Sequence, residues 1–486
     1  MKRYKLSVAL LTGLVLCSAQ SCGHRHLYGE WQISEASCIT DGHVYRACAL
    51  CGEVEYNSEK KKTGHSFADP VDDIVSETRY GTCSVCGVTE EFGEYVPPSD
   101  IPRMYIYGDP NAEVIPVEVK YFGDEEKDFY ALISIDANES NAYYKKDYDF
   151  HTFTSSDFDN ELSLELHPYV GETSSYSLKG EYYDKSSVRN LSASELWYQV
   201  VDSRKDLDEN LKTLDRRGAE SGYPVIFYTN GNYKGIYNLC TPNDQKLFKL
   251  NDANNQTLVY SFSNFGVFDL QYEDLGENKV PCTVIWPTDT AEKEKSGAIF
   301  EKFMEFVLSA DDVQFERDIG KYLDVDAAID YLICVYAFGA DANVVSFCNW
   351  VSFDNQRWIP SMYNLTYTFG IDTLGDALNP EGTIIPKFSE SGVLMSSTNS
   401  ALWDKLCRVY ASRISERYKE LRGKILTEEN VRDVFEKYYS MISQAVYESE
   451  FIEYADKAYF GGISTVDDIS AWFSQKVKLL DKVFIK

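Results

Sequence analysis

The sequence predicts an α+β protein in which strands come first and helices follow. Two observations on the main domain support this prediction: apolar or alternating segments surround a tight-turn dipeptide early in the chain, and amphipathic helical periodicity dominates later. A third observation, a short stretch rich in Cys and His, predicts a separate small module before this domain. Strands and helices that are segregated along the chain are typical of α+β folds.

The strand prediction depends on three segments, residues 104–107, 114–121 and 129–135, which breakers containing Gly-Asp separate. Further along, residues 225–228 and 233–239 flank Asn230-Gly231. This dipeptide readily adopts positive φ and therefore favours a tight β-hairpin turn. We expect a hairpin there.

The pattern becomes helical from about residue 297. Thr427 is a predicted N-cap, and Glu428 and Glu429 follow it in the first turn, where they complement the helix dipole. A second helix is predicted to begin at Thr465, three residues before Asp468. The apolar stripe predicted for the first of these helices consists of Val431, Val434, Phe435, Tyr438, Ile442 and Val446.

Composition limits the possible function. The 486 residues include 77 acidic and 47 basic side chains, which gives a formal charge of -30. Because nucleic-acid binding depends on clustered Lys and Arg, this acidic excess argues against a nucleic-acid partner. The 44% of hydrophobic residues suffices for a sizeable core, and no apolar run is long enough to span a bilayer.

The N-terminus has the pattern of an export signal. Basic residues precede an apolar stretch at residues 6–16, so residues 1–21 are predicted to be a signal peptide. The sequence Ala19-Gln20-Ser21-Cys22-Gly23 resembles a bacterial lipoprotein processing site, which implies acylation of Cys22 and a lipid-anchored protein at the cell envelope or surface. Ala19 stands where Leu is usual, so simple secretion after cleavage behind Ala19 is the alternative.

Residues 22–96 are predicted to form a small zinc-ribbon-like module. Seven of the twelve Cys lie before residue 87, and four of them form two Cys-x-x-Cys-Gly turns. Tetrahedral zinc takes four thiolate or imidazole ligands, so Cys48, Cys51, Cys83 and Cys86 are the predicted ligands of one structural zinc per chain. A module of this size buries little apolar surface, so a metal would stabilise it.

Two other interpretations of this module remain open. In the first, the segment resembles a small His/Cys repeat found beside domains of bacterial surface proteins, so His26 and Cys38 join the first turn and His65 begins a second copy. In the second, the Cys form disulfides, as is common in exported proteins. The five later Cys are isolated along the chain and are predicted to be small buried hydrophobes.

Residues 97–100, Pro-Pro-Ser-Asp, form a predicted linker, and the large domain is expected to occupy residues 101–486. Four segments of this domain, in order, resemble motifs of the spore coat protein H (CotH) kinase family. These are residues 178–191 (a D-x-S-x-x-R-N motif), residues 228–239 (an NGxYxGxYxL hairpin), residues 341–370 and the helical end at residues 402–472. The resemblance implies an atypical kinase-like fold that uses ATP and a divalent ion to phosphorylate Ser on protein partners.

The sequence departs from this family where the chemistry would occur. The family's D-x-D motif, expected to bind the metal, falls on Asn364 and Thr366, and an expected Glu falls on Thr241. Residues 147–178 contain seven acids and no Lys or Arg, a composition that would repel a triphosphate. Lys179 remains as a candidate for cofactor contact.

Two functions are therefore carried forward. We expect a noncatalytic surface lipoprotein whose kinase-like domain binds a protein or glycan partner. The alternative is an active atypical secreted kinase that uses ATP and Mg²⁺ with rearranged ligands. Its substitute metal ligands would be the acids that bracket the degraded motif, Asp341, Asp354 and Asp372.

Overall fold

A computed structural model of the chain describes residues 25–108, 110, 114–136, 143–251, 255–261, 282–344, 346–454 and 464–485. The predicted signal peptide and Cys22 lie outside the described residues. The chain divides into an N-terminal unit that ends at Pro97 and a main unit, Pro98–Lys486, which also includes Ile74–Ser76. Among the described residues, no helix is both long and apolar enough to cross a bilayer.

The N-terminal unit consists of two small antiparallel sheets of three strands each. In both sheets a Cys-x-x-Cys-Gly turn follows the middle strand. The strands are β1 (Gln32–Ser34), β2 (Gly42–Ala47) and β3 (Val54–Lys60) in the first sheet, and β4 (Phe67–Asp73), β5 (Thr78–Cys83) and β6 (Thr89–Glu91) in the second.

Buried apolar side chains are scarce in this unit. Within its described part, the buried side chains classed as hydrophobic are those of Cys38, Cys48 and Cys83, whereas larger groups such as Ile33 and Tyr56 are exposed. An apolar core of this size contributes little stability, so the sheets need another source of stabilisation.

The main unit begins with a closed seven-stranded barrel in the order β10-β13-β15-β14-β7-β8-β9, and a four-stranded sheet, β17-β16-β18-β19, follows. The strands of this unit are β7 (Arg103–Tyr107), β8 (Ile115–Phe122), β9 (Glu126–Ile135), β10 (Tyr148–Phe153), β11 (Leu164–Glu165), β12 (Glu172–Thr173), β13 (Ser175–Lys179), β14 (Gly222–Thr229), β15 (Asn232–Cys240), β16 (Thr257–Ser261), β17 (Cys282–Trp286), β18 (Cys348–Ser352), β19 (Ile359–Met362), β20 (Lys387–Phe388) and β21 (Leu394–Met395).

The structure confirms the strands predicted at residues 104–107, 114–121 and 129–135, which are β7, β8 and β9. The predicted hairpin is β14–β15, and its turn residues Asn230 and Gly231 both have positive φ, 49° and 73°. Barrel closure was not predicted. It depends on the pairing of β7 with β14 and of β10 with β13, which are distant in sequence.

The helices of the main unit are α1 (Arg189–Asp202), α2 (Glu209–Lys212), α3 (Thr290–Ser309), α4 (Asp312–Asp318), α5 (Val325–Phe338), α6 (Ala401–Arg422), α7 (Glu428–Tyr439), α8 (Gln444–Tyr454) and α9 (Val466–Phe484). Most of them lie in its second half, where the sequence predicted a helical pattern, but α1 and α2 lie between β13 and β14 and were not predicted. Every residue of α5 from Ala327 to Phe338 is buried, so this helix lies at the centre of the core.

The predicted helix caps are confirmed: Thr427 accepts a hydrogen bond from the Asn430 amide, and Thr465 accepts one from the Asp468 amide. The apolar stripe predicted for one helix is divided between two. α7 ends at Tyr439, and the Ser443 carbonyl accepts the first amide hydrogen bonds of the next turn, so Val446 belongs to α8.

The second glycine of the hairpin motif, Gly235, is explained by the approach of α8 to the barrel. Glu450 accepts a hydrogen bond from the Ile236 amide at 2.8 Å and one from Lys145 Nζ at 2.5 Å. A Cβ at residue 235 would overlap the Glu450 carboxylate. Glycine is therefore required so that this buried ion pair can reach the strand.

We expect Gly235→Ala to destabilise the protein more than Gly231→Ala. Both glycines have positive φ, 104° and 73°, which costs a residue with a Cβ roughly 1–2 kcal/mol. At Gly231 there is open space, so only this backbone cost applies. At Gly235 disruption of the Lys145–Glu450 pair should add roughly 3 kcal/mol. Urea unfolding followed by circular dichroism measures both losses, and equal losses would contradict the explanation.

Candidate functional site

A cavity of about 290 Å³ lies in the main unit beside the barrel. Strands β10 and β13 line one side, the segment after β15 lines another, and Tyr363 and Asn364, which follow β19, complete it. Its titratable side chains are predominantly acidic. The acids that line it are Asp136, Asp147, Asp149 and Asp244.

Lys179, the candidate cofactor contact, lines the same cavity but is paired with an acid. Its Nζ lies 2.8 Å from Glu220 Oε1 and 4.2 Å from the centre of the Tyr363 ring. Burial alone would lower the pKa of Lys179, but the charge of Glu220 outweighs burial and the pKa is raised. Lys179 is therefore charged, and Glu220 neutralises that charge locally.

Asn364 and Thr366, at the positions that resemble the D-x-D motif, are 8% and 7% exposed. The Thr366 hydroxyl lies 2.7 Å from Glu181 Oε2 and 3.0 Å from Asn364 Oδ1. The other Glu181 oxygen lies 3.3 Å from Asn238 Nδ2. These groups hydrogen-bond to one another in a buried network.

Glu181 is the acid at the centre of this network. Burial raises the pKa of Glu181 to about 8, although the charge of Lys179 opposes the shift. Against this shift, Glu181 Oε2 accepts a hydrogen bond from the Thr366 hydroxyl, which favours the ionised form.

The D-x-S-x-x-R-N segment hydrogen-bonds to the backbone of the loop that carries Asn364 and Thr366. Asp184 accepts hydrogen bonds from the Arg189 guanidinium and, at 2.8 Å, from the Arg189 amide. Arg189 Nε donates to the Thr368 carbonyl at 3.1 Å, and Asn190 Oδ1 accepts from the Leu365 amide at 2.7 Å. These bonds hold the backbone of residues 365–368 in place. The D-x-S-x-x-R-N segment therefore positions this loop.

The acidic segment predicted to repel phosphate contributes two acids to the cavity. Burial, with a smaller contribution from the neighbouring charge of Asp136, raises the pKa of Asp147 to about 7 and that of Asp149 to about 6. Asp147 accepts a hydrogen bond from the Gly180 amide at 2.5 Å, and Asp149 accepts one from the Ser177 hydroxyl. The cavity therefore disfavours additional negative charge.

Thr241, at the position of the expected Glu, lies outside this network and hydrogen-bonds to Ser221, whose amide is 3.1 Å from its hydroxyl. The acid beside Lys179 is instead Glu220, the residue before Ser221. Reasoning from sequence missed both Glu220 and Glu181. Glu181 lies inside a segment already singled out, two residues after Lys179, and this spacing was an available signal.

The proposed substitute ligands lie at separate places. Asp341 accepts from the Ile384 amide, Asp354 from the amides of Gln356 and Arg357, and Asp372 from those of Leu374 and Asp376. Among the described residues, the groups of three or more potential metal ligands within 4.8 Å of one another do not include these acids. Asx turns explain the positions of Asp354 and Asp372, whereas Asp341 begins a short 3₁₀ helix.

Both such groups lie in the N-terminal unit and could hold a metal ion. One, the Cys38 group, contains Cys38, His65, Cys83 and Cys86. The other, the Cys48 group, contains His26, Cys48 and Cys51.

This arrangement differs from the predicted single site of four thiolates. The two Cys-x-x-Cys-Gly turns follow strands of different sheets, so each is grouped with the histidine that precedes its own sheet. It also differs from the repeat interpretation in one residue, because Cys38 lies with the second turn rather than with the first.

Comparison with known families gives one match: the family model described as CotH kinase protein matches residues 133–478, which is 346 of 486 residues. The matched region includes the acidic cavity and the network around Glu181. Comparison with curated proteins gives no match.

We expect Glu181→Gln to gain stability relative to the wild type as the pH rises from about 5 to about 9. An acid whose pKa is raised by folding favours the folded state at low pH, and this contribution is lost between its ordinary value of 4.5 and its folded value of about 8. Gln does not titrate, so the variant does not lose stability in this way as the pH rises. Urea unfolding at a series of pH values measures the difference.

Glu195→Gln is the matched control. Burial would raise the pKa of Glu195, but Arg216, 2.8 Å away, outweighs burial and the pKa is lowered. This acid is therefore ionised throughout the range, so its substitution should cost the same at each pH. Parallel curves for Glu181→Gln and the wild type would contradict a neutral Glu181.

Proposed function

The chain belongs to the CotH kinase protein family, and from this premise we propose that its main unit is a noncatalytic member that binds a protein or glycan partner. One observation carries the proposal: Asn364 and Thr366 replace the paired acids of the family motif and are hydrogen-bonded to each other and to Glu181.

Magnesium binding requires different ligands from those present. Mg²⁺ is held by one or two carboxylates together with substrate phosphates, and it loses water reluctantly. The amide and hydroxyl at these positions are neutral, and the raised pKa of Glu181 keeps that carboxyl protonated near neutral pH. A metal here would have to displace the Glu181 proton and break the network.

The charge of the cavity also opposes nucleotide binding. In protein kinases, cations hold the phosphates and the metal neutralises the developing charge. Here Lys179 is neutralised by Glu220, and Asp136, Asp149 and Asp244 add negative charge. The same charges would attract a cationic group, so a Lys or Arg side chain of a protein partner suits the cavity better than a triphosphate does.

We expect isothermal titration of the purified chain with ATP and Mg²⁺ to show no saturable binding at micromolar concentrations. Lys179→Met is the matched variant, because it removes the lysine that lines the cavity and could contact a phosphate. Saturable binding that requires Mg²⁺ and is lost in Lys179→Met would overturn the noncatalytic assignment. That result would favour an active kinase with rearranged ligands.

We propose further that the protein is exported and anchored to the membrane through acylated Cys22. The support is the apolar segment at residues 6–16, followed by Ala-Gln-Ser-Cys. Two acyl chains suffice for stable anchoring.

We expect Cys22→Ser to move the protein from the membrane fraction to the soluble exported fraction, because the acceptor thiol is removed. Fractionation and mass spectrometry of the mature N-terminus measure this. Ser21→Ala is the control and should keep the protein in the membrane fraction. An unmodified Cys22, or cleavage after Ala19, would contradict lipid anchoring.

We also propose that the metal of the N-terminal unit is zinc. Thiolate and imidazole ligands in a tetrahedral group suit zinc, and a unit with so few buried apolar side chains requires such stabilisation.

A further inference from the structure

The two Cys-x-x-Cys-Gly turns of the N-terminal unit have the same backbone hydrogen bonds. In the first turn the Cys48 amide donates to the Glu53 carbonyl, and the Gly52 amide donates to the Cys48 carbonyl, both at 2.8 Å. In the second, Cys83 donates to Val88 and Gly87 donates to Cys83, again at 2.8 Å. The turns are therefore structural copies.

The histidine segments are also equivalent. The Ala49 amide donates to the Leu27 carbonyl at 2.8 Å, and the Ser84 amide donates to the Ser66 carbonyl at 3.0 Å. Leu27 and Ser66 directly follow His26 and His65. Each histidine is thereby held against its own turn, so the first copy presents the same His-Cys-Cys set as the second.

The distances between ligand atoms fit a shared metal ion. Tetrahedral zinc places two sulfur ligands about 3.8 Å apart, and a sulfur and a nitrogen about 3.6 Å apart. Cys38 Sγ lies 3.6 Å from Cys83 Sγ, and Cys86 Sγ lies 3.4 Å from His65 Nδ1. In the first copy Cys51 Sγ lies 3.4 Å from His26 Nδ1. A disulfide would require about 2.0 Å between sulfurs.

Cys38 joins the ligands of the second copy. The Gly64 amide donates to the Cys38 carbonyl at 3.2 Å, and the Thr63 amide donates to the Ser37 carbonyl at 3.0 Å. These bonds hold Cys38, which belongs to the first sheet's β1–β2 connection, beside His65. The Cys38 group therefore has four ligands, whereas the Cys48 group has three among the described residues.

The first copy also contains a carboxylate that orients its histidine. Nε2 of His26 lies 3.1 Å from Glu53 Oε2, on the opposite side of the ring from Nδ1, which faces Cys51. A carboxylate that accepts the second ring N–H of a metal-bound histidine fixes the tautomer and strengthens the ligand. Glu53 is therefore a positioning residue for His26.

We propose that the N-terminal unit binds two metal ions. The Cys38 group forms one site with three thiolates and one imidazole, and the second site includes the imidazole and the two thiolates of the Cys48 group. This goes beyond the single zinc predicted from sequence and rests on the metal assignment of the proposed function.

Titration of the reduced, metal-free chain with Co²⁺ tests the proposal, because cobalt reports thiolate ligation through its charge-transfer absorption. We expect two equivalents per chain. One equivalent should be lost in Cys86→Ser and kept in Cys48→Ser, and the other should be lost in Cys48→Ser and kept in Cys86→Ser.

The outcomes separate this inference from the zinc assignment. One equivalent that is lost in Cys86→Ser and kept in Cys48→Ser would overturn the second site and leave the zinc assignment intact. No bound metal would overturn both.

Glu53→Gln tests the orienting carboxylate. We expect a 10–100-fold loss of cobalt affinity at the Cys48 group, as is usual for such partners, with no change at the Cys38 group. Glu55→Gln is the control, since Glu55 lies two residues away and pairs with Arg46 at 2.5 Å. Equal effects of the two substitutions would overturn the role of Glu53.

Discussion

The buried ion pair between Asp184 and Arg189 is the constraint on which the main unit's cavity depends. Both side chains are fully buried, and such a pair is strongly destabilised if one member is lost. Arg189 reaches the Thr368 carbonyl, and the adjacent Asn190 holds the Leu365 amide. The loop that carries Asn364 and Thr366 is therefore held in shape by these two contacts.

The charges of nearby acids affect which residues suit positions 364 and 366. A carboxylate at residue 364 or 366 would lie in a region that already contains Glu181 and Glu220, and it would need a cation to offset the repulsion. The neutral Asn and Thr avoid that repulsion. They form a hydrogen-bonded network with Glu181, whose pKa is raised by burial.

Local patterns in the sequence predicted the local structure well. Asn230-Gly231 specified the hairpin, and Thr427 and Thr465 specified helix starts, because turn and cap preferences act over a few residues. Barrel closure and the pairing of Glu220 with Lys179 could not be predicted, since both join residues far apart in the chain. The ligand sets of the N-terminal unit required the same long-range information: spacing identified the thiols, but only the fold assigns Cys38 to the second turn.

An ion held by the Cys38 group would act as a cross-link across the chain, since it joins thiols 45 residues apart. By the loop-entropy relation used for disulfides, closing a loop of that length restricts the unfolded chain by about 4 kcal/mol. Most of the rest of this unit is exposed backbone and side chain, so its resistance to proteases would follow the local supply of metal rather than the quality of its packing.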